Sequence, residues 1–207
     1  MKIRNKIIAL MISLIAMPTF ALAQKSKVYA GAEYTKNKVD TGIGNVSSRL
    51  DEDDNGYSLF LGTEIIPNLD VEFSYNDFGN ASLSGEVGNR FNYKGTLYEF
   101  TTAANLKAEA TSWGIGLKPK YQINPNFNIG ATLGMHRWDG KLSASTASGT
   151  LGSASKKDTD FFYGIGVNYI DPKFSVGLNY NIYKVDGGST VPIEDIKSIG
   201  LRASVNF

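Results

Sequence analysis

Between Gly56 and Gly79 the side chains change character at every residue, and this alternation constrains the chain more than any other feature. Tyr57, Leu59, Leu61, Thr63 and Ile65 share one parity, and Ser58, Phe60, Gly62 and Glu64 the other. After Ile66-Pro67-Asn68 the apolar set resumes as Leu69, Val71, Phe73 and Tyr75, and the polar set as Asp70, Glu72, Ser74 and Asn76. Period two belongs to a β-strand, whose successive side chains point to opposite faces, and the short break at a proline makes the pair a hairpin. A face so rich in aromatics must meet either a dry core or lipid.

The pattern recurs along the chain and predicts strands at about 27–36, 56–65, 69–78, 107–121, 127–137, 159–170, 174–184 and 196–207. Trp113, Ile115 and Leu117, then Ile129 and Leu133, then Ile165 and Val167 continue the apolar face. Glycines inside the strands, among them Gly31, Gly114, Gly134, Gly166 and Gly200, fall on the opposite face. Glycine weakens a strand and marks a place where room is short, so this face lines a crowded interior. An eight-stranded barrel has such an interior.

The connections alternate in length. Ile66-Pro67-Asn68, Asn124-Pro125-Asn126 and Asp171-Pro172-Lys173 are tight turns, whereas about 37–55, 79–106, 138–158 and 185–195 are long polar links. Long links are uncommon inside compact soluble domains. Short turns at one end, long loops at the other, an even strand number, an apolar exterior and a polar interior together describe a transmembrane barrel. Tyr121, Phe127, Tyr169 and Phe174 near the turns, and Tyr34, Tyr57, Tyr75 and Phe161 near the loops, are placed as interfacial girdles. A soluble lipocalin-type carrier would reverse the faces, with an apolar cavity inside. The sequence therefore predicts an all-β fold: an eight-stranded antiparallel up-and-down transmembrane β-barrel, preceded by a cleaved signal peptide.

The ends of the chain agree. Lys2, Arg4 and Lys6 precede the apolar run Ile7–Met17, and Ala21-Leu22-Ala23 follows. This is the order of a secretory signal peptide, and the run is shorter than the roughly 20 residues a spanning helix needs. Residues 1–23 are thus expected to be removed, leaving 24–207 as one barrel domain. With no cysteine the chain has neither a disulfide framework nor a thiolate metal site. A formal net charge of +1 suggests no basic face for nucleic acid.

Val28-Tyr29-Ala30-Gly31-Ala32, Asp54 to Gly62, the turn and strand from Ile66 to Phe78, and the terminal strand resemble the OmpA-like outer-membrane β-barrel family. The resemblance covers essentially all of 24–207 and implies the cell outer membrane, with both termini and the short turns periplasmic. It implies contact with outer-membrane lipid and lipopolysaccharide, and assembly with the help of periplasmic chaperones and the barrel-assembly machinery. Val205 and Phe207 look like the terminal signal read by that machinery, although Arg202 stands where its glycine is expected and Gly200 lies earlier. No peptidoglycan-binding domain follows Phe207 in this sequence, and a monomer is expected.

Candidate sites are few, and no cofactor is expected. Asp51, Asp53, Asn55 and Gly56 match the first half of a calcium loop, but the position for its closing Glu holds Gly62, so no metal site is expected. His136, the only histidine, has inward parity, and its successor by two is Trp138. Lipid A deacylases of this size carry a serine at that place, so the resemblance implies no catalytic residues and a rim histidine without a partner. Gly140 to Lys157 has the composition of a mobile linker, and Phe91, Tyr93, Tyr98 and Phe100 could support an extra hairpin above the membrane. Pro119, lacking an N–H, is expected to bulge or end its strand. Inward parity gathers Glu33, Glu64 and Glu72 with Lys118, Lys120 and Arg202 as a lumen charge network, with Glu33 against Arg202 and Glu72 level with Lys120. The expected function is a structural or narrow porin-like barrel with a largely plugged lumen. An adhesin acting through its loops is the alternative, and a lipid A-modifying enzyme a more distant third.

Overall fold

The computed structural model describes residues 28–44, 47 and 49–207, so the expected signal peptide lies outside the described residues. The strands are β1 (Val28–Asp40), β2 (Ile43–Gly44), β3 (Arg49–Asp51), β4 (Asp53–Ile66), β5 (Leu69–Gly85) and β6 (Arg90–Tyr93). They continue as β7 (Thr96–Glu99), β8 (Ala104–Asn124), β9 (Phe127–Thr146), β10 (Gly149–Ile170), β11 (Phe174–Lys184) and β12 (Asp195–Asn206). Eight of them close a ring in the order β1-β4-β5-β8-β9-β10-β11-β12, antiparallel throughout, with β12 returning to β1. The closing register sets Tyr29 against Asn206 and Glu33 against Arg202, as the sequence spacing predicts.

Side-chain direction follows parity. Leu133, Ile165 and Ile199 are each 60% exposed or more, whereas Asn37, Asn76, His136 and Ser198 are buried. The exterior is therefore apolar and the interior polar, the reverse of a soluble carrier. Aromatics gather at both ends of this exterior. Phe127 packs on Tyr169 (5.3 Å between ring centres) near the turns, and Tyr75 on Trp113 (4.8 Å) near the loops.

The strands are longer than the alternation indicates. β9 and β10 stay paired from Phe127–Tyr169 up to Thr146–Gly149, with one register shift between Thr150 and Gly152, so the segment expected to be a mobile linker is a hairpin arm. Above the membrane both faces of a strand meet water, so apolar alternation is lost although the ladder continues; ion pairs such as Lys157–Asp139 (2.7 Å) replace it. The hairpin expected around Phe91 and Tyr98 exists as β6–β7, with those two rings stacked at 5.3 Å and β2 added at its edge. Pro119 neither ends β8 nor shifts its register. Bridges to β9 lapse after Leu117–Leu133 and resume in step at Lys120–Gly130, and the irregularity comes only between Gln122 and Asn124. The Lys120 N–H bonds to the Asn68 carbonyl at 2.8 Å, so the strand is held from its other side.

Candidate functional site in the barrel lumen

The interior is filled in layers. At the short-turn end lies an open vestibule of about 540 Å³, bordered by Tyr29, Glu64, Asp70, Lys120 and Arg202 among others. Here the Lys120 ammonium donates to Asp70 (2.6 Å) and to Glu64 (3.2 Å). Above it the Glu72 carboxylate accepts from Arg202 (2.6 Å), from Lys118 (3.2 Å) and from the Tyr29 hydroxyl (3.1 Å). The guanidinium of Arg202 also lies 3.8 Å from the centre of the Phe60 ring, a cation–π contact that fixes its plane. Every charge at this level except one oxygen is satisfied. Glu33 accepts from Asn179 through Oε2 (3.1 Å), and its buried Oε1 has no hydrogen-bond partner among the described residues.

The structure thus assembles all six sequence-predicted charges but pairs them differently. Glu33 and Arg202 are neighbours in register, yet Arg202 reaches across the lumen to Glu72 on β5. Glu72 is paired with Lys118 rather than level with Lys120, which turns to Asp70 and Glu64 instead. Backbone register places the Cα atoms, but long side chains crossing a narrow tube choose their partners by reach. Asp70, a fourth acid with inward parity and only 4% exposed, completes the network and was legible from the same alternation. Four carboxylates therefore meet three cations.

Above the ions the lumen turns aromatic. Ser58 donates to Asn76 at 2.7 Å, and Asn76 to Ser112 at 3.1 Å, forming a polar rung across three strands. Beyond it Phe162 stacks on Tyr183 at 5.2 Å, and Phe78 and His136 pack against the same tyrosine. His136 is not the rim residue expected. It is buried, with Nε2 2.9 Å from the Lys184 carbonyl, because Trp138 and the loop before β12 extend the barrel above it. A dry layer of Val39, Trp138, Val185, Val191, Ile193 and Ile196 closes the long-loop end. Between ionic and aromatic layers the remaining cavity measures about 20 Å³, room for about one water. Phe60, Phe78, Phe162 and Tyr183 carry the inward parity of their strands, as do Val39, Trp138 and Ile196 of the lid, but as interruptions of a polar set they gave no sign that they would stack into a seal. Val185, Val191 and Ile193 complete the lid from the link before β12.

Several glycines make this filling possible. A Cβ on Gly134 would strike the Phe162 ring, one on Gly31 the Phe60 ring, and one on Gly200 the Glu33 carboxylate. Each leaves the space that one large inward side chain occupies. Asp51, Asp53 and Asn55 lie on β3 and β4 and are exposed; the adjacent Asp54 accepts from the Asn80 N–H at 2.9 Å, where β5 breaks register with β8 between Asp77 and Asn80. Among the described residues no group of three or more potential ligands could hold a metal ion.

A closed ring of eight antiparallel strands, polar within and apolar without, with short turns at one end, is the architecture of an integral outer-membrane protein. The outer membrane protein beta-barrel domain family matches residues 7–207, and the chain belongs to that family. Its place is the cell outer membrane. Among solved structures, a major outer membrane protein of Thermus thermophilus is similar at a TM-score of 0.56 and 11% identity, over 89% of this chain and 100% of that one. The Yersinia pestis attachment invasion locus protein Ail, solved with the heparin analogue sucrose octasulfate, gives a TM-score of 0.49 and 20% identity over 88% and 97% of the two chains. The Escherichia coli outer membrane protease OmpT gives 0.44 and 11% over 92% and 98%. These likenesses concern the fold alone. Nothing among the curated proteins matches the chain.

Proposed function

We propose that this protein is a sealed outer-membrane barrel, a structural element of the envelope rather than a pore. One observation carries the reading: above the periplasmic vestibule the lumen narrows to a cavity of about 20 Å³ walled by Glu72, Arg202, Phe162 and Tyr183. That cavity lies between an ionic layer centred on Glu72 and a dry layer centred on Trp138. Hydrated ions need a continuous wet path, and a dry constriction bars them even where the ionic layer breathes. His136 has no catalytic role in this reading, since its imidazole is walled in by Phe162 and Tyr183 and engaged by a backbone carbonyl. Liposomes carrying the refolded protein should swell no faster in small sugars than empty liposomes. Swelling at the rate of a known small porin would sink the proposal.

A second reading is favoured by the extracellular side. The β2–β6–β7 sheet, the turn before it and the β9–β10 arm are folded extensions that present Val87, Leu97, Tyr98 and Leu151 to solvent. Such a surface suits recognition of a partner at the cell exterior. Cells producing the protein should lose any acquired surface adhesion when 141–154 or 86–100 is deleted, with barrel assembly intact. Adhesion unchanged by both deletions would remove this reading and leave the structural one.

A further inference from the structure

We infer that Lys36, Lys38 and Lys197, on the outward face of β1 and β12, form a seat for the phosphate groups of an outer-leaflet glycolipid. Lys38 and Lys197 are direct partners across the antiparallel ladder. Residues so paired hold their Cβ atoms about 5 Å apart, and like charges there repel. Lys36 joins them from the next outward position of β1, opposite Ile199. Carboxylates nearby do not resolve the repulsion. Asp195 is taken by Lys184 at 2.7 Å, and Glu52 reaches Lys38 only at 4.0 Å while accepting from Thr41 at 2.7 Å. Asp53 is the partner of Lys38 on β4, but the ion pair of Lys38 is with Glu52 and not with it. Among the described residues, Lys36 and Lys197 have no ion-pair partner at all.

The position identifies the ligand. Ile199 is exposed level with Lys36, and the pair Tyr34 and Leu201 is exposed one outward step below; all three belong to the lipid-facing band. From Val28 to Lys38 the strand climbs roughly 25 Å, at about 3.3 Å per residue and a tilt near 40°, which is the height of that band. The three ammonium groups therefore emerge where hydrocarbon ends and headgroups begin. One ladder step further out, Asp40 is paired with Asp195. These acids repel an anion that drifts upward, so a phosphate is confined to the level of the lysines. A doubly charged phosphate monoester can sit between two ammonium groups and turn their repulsion into shared attraction. This site lies on the outer wall and does not depend on whether the lumen conducts.

The test uses the whole barrel, refolded in detergent and examined by native mass spectrometry. The probes are lipid A carrying both phosphates and the same acylated lipid with both phosphates removed. Unmodified protein should retain the phosphorylated lipid about tenfold more than the stripped one. The triple variant Lys36→Gln, Lys38→Gln, Lys197→Gln should lose that preference, while Lys184→Gln, whose ammonium is already paired with Asp195, should keep it. Equal retention of the two lipids by unmodified protein overturns the inference and needs no variant to fold. An undiminished preference in the triple variant overturns it equally.

Discussion

At the scale of single residues, the lumen is a set of large side chains fitted to glycine-made gaps, with charges satisfied across the tube. Gly134 faces Phe162, so Gly134→Val should overpack the barrel and cost about 1–3 kcal/mol in urea unfolding from detergent. A second substitution, Phe162→Leu, should return part of that loss; no recovery would show that the ring is not the obstacle. Arg202→Ala leaves Glu72 with Lys118 and Tyr29 only, and should cost about 3 kcal/mol, toward the low end for breaking a buried pair because the vestibule admits water. Combined with Glu72→Gln, the two losses should add to clearly less than their sum, and simple additivity would contradict a direct pair. Which residues face inward was legible in the sequence, because parity alone decides it; Arg202 and Glu72 were both found that way. Their pairing was not, since it depends on how far two long side chains reach across a tube whose diameter no local pattern reports.

At the scale of elements, the chain separates into membrane-crossing strands that announce themselves and extracellular extensions that do not. A strand between lipid and a polar lumen must alternate, so all eight crossings were legible, to within the length of their outer ends. The β9–β10 arm was hidden because Ser, Ala, Gly and Thr on both faces carry no period, although Lys157 and Asp139 still pair across it. Amides of residues 140–155 should exchange with deuterium far more slowly than an unstructured linker, and exchange at the random-coil rate would dissolve the arm. The lipid face makes the opposite demand. Leu133 is 60% exposed on the outer wall, so Leu133→Arg should cost about 2–4 kcal/mol near mid-depth. Its inward neighbour Thr132 should tolerate serine without measurable loss. Equal effects on the two positions would mean that the strand faces are reversed.

At the scale of the whole molecule, the barrel is closed twice, by ions near its middle and by a dry lid at its outer end. The sequence pointed to the first closure through its inward charges but not to the second. The lid draws on Val191 and Ile193, which belong to the link before β12 rather than to any alternating strand. The double closure changes what a point substitution can do. Arg202→Ala empties space in the ionic layer alone, and Phe162, Tyr183 and Trp138 still stand above it. The most direct measurement is planar-bilayer recording of the refolded protein and of Arg202→Ala side by side. The expected result is no steady conductance above the bare bilayer in either, apart from brief flickers in the variant. A steady, ohmic pore in the unmodified protein would contradict the sealed barrel outright.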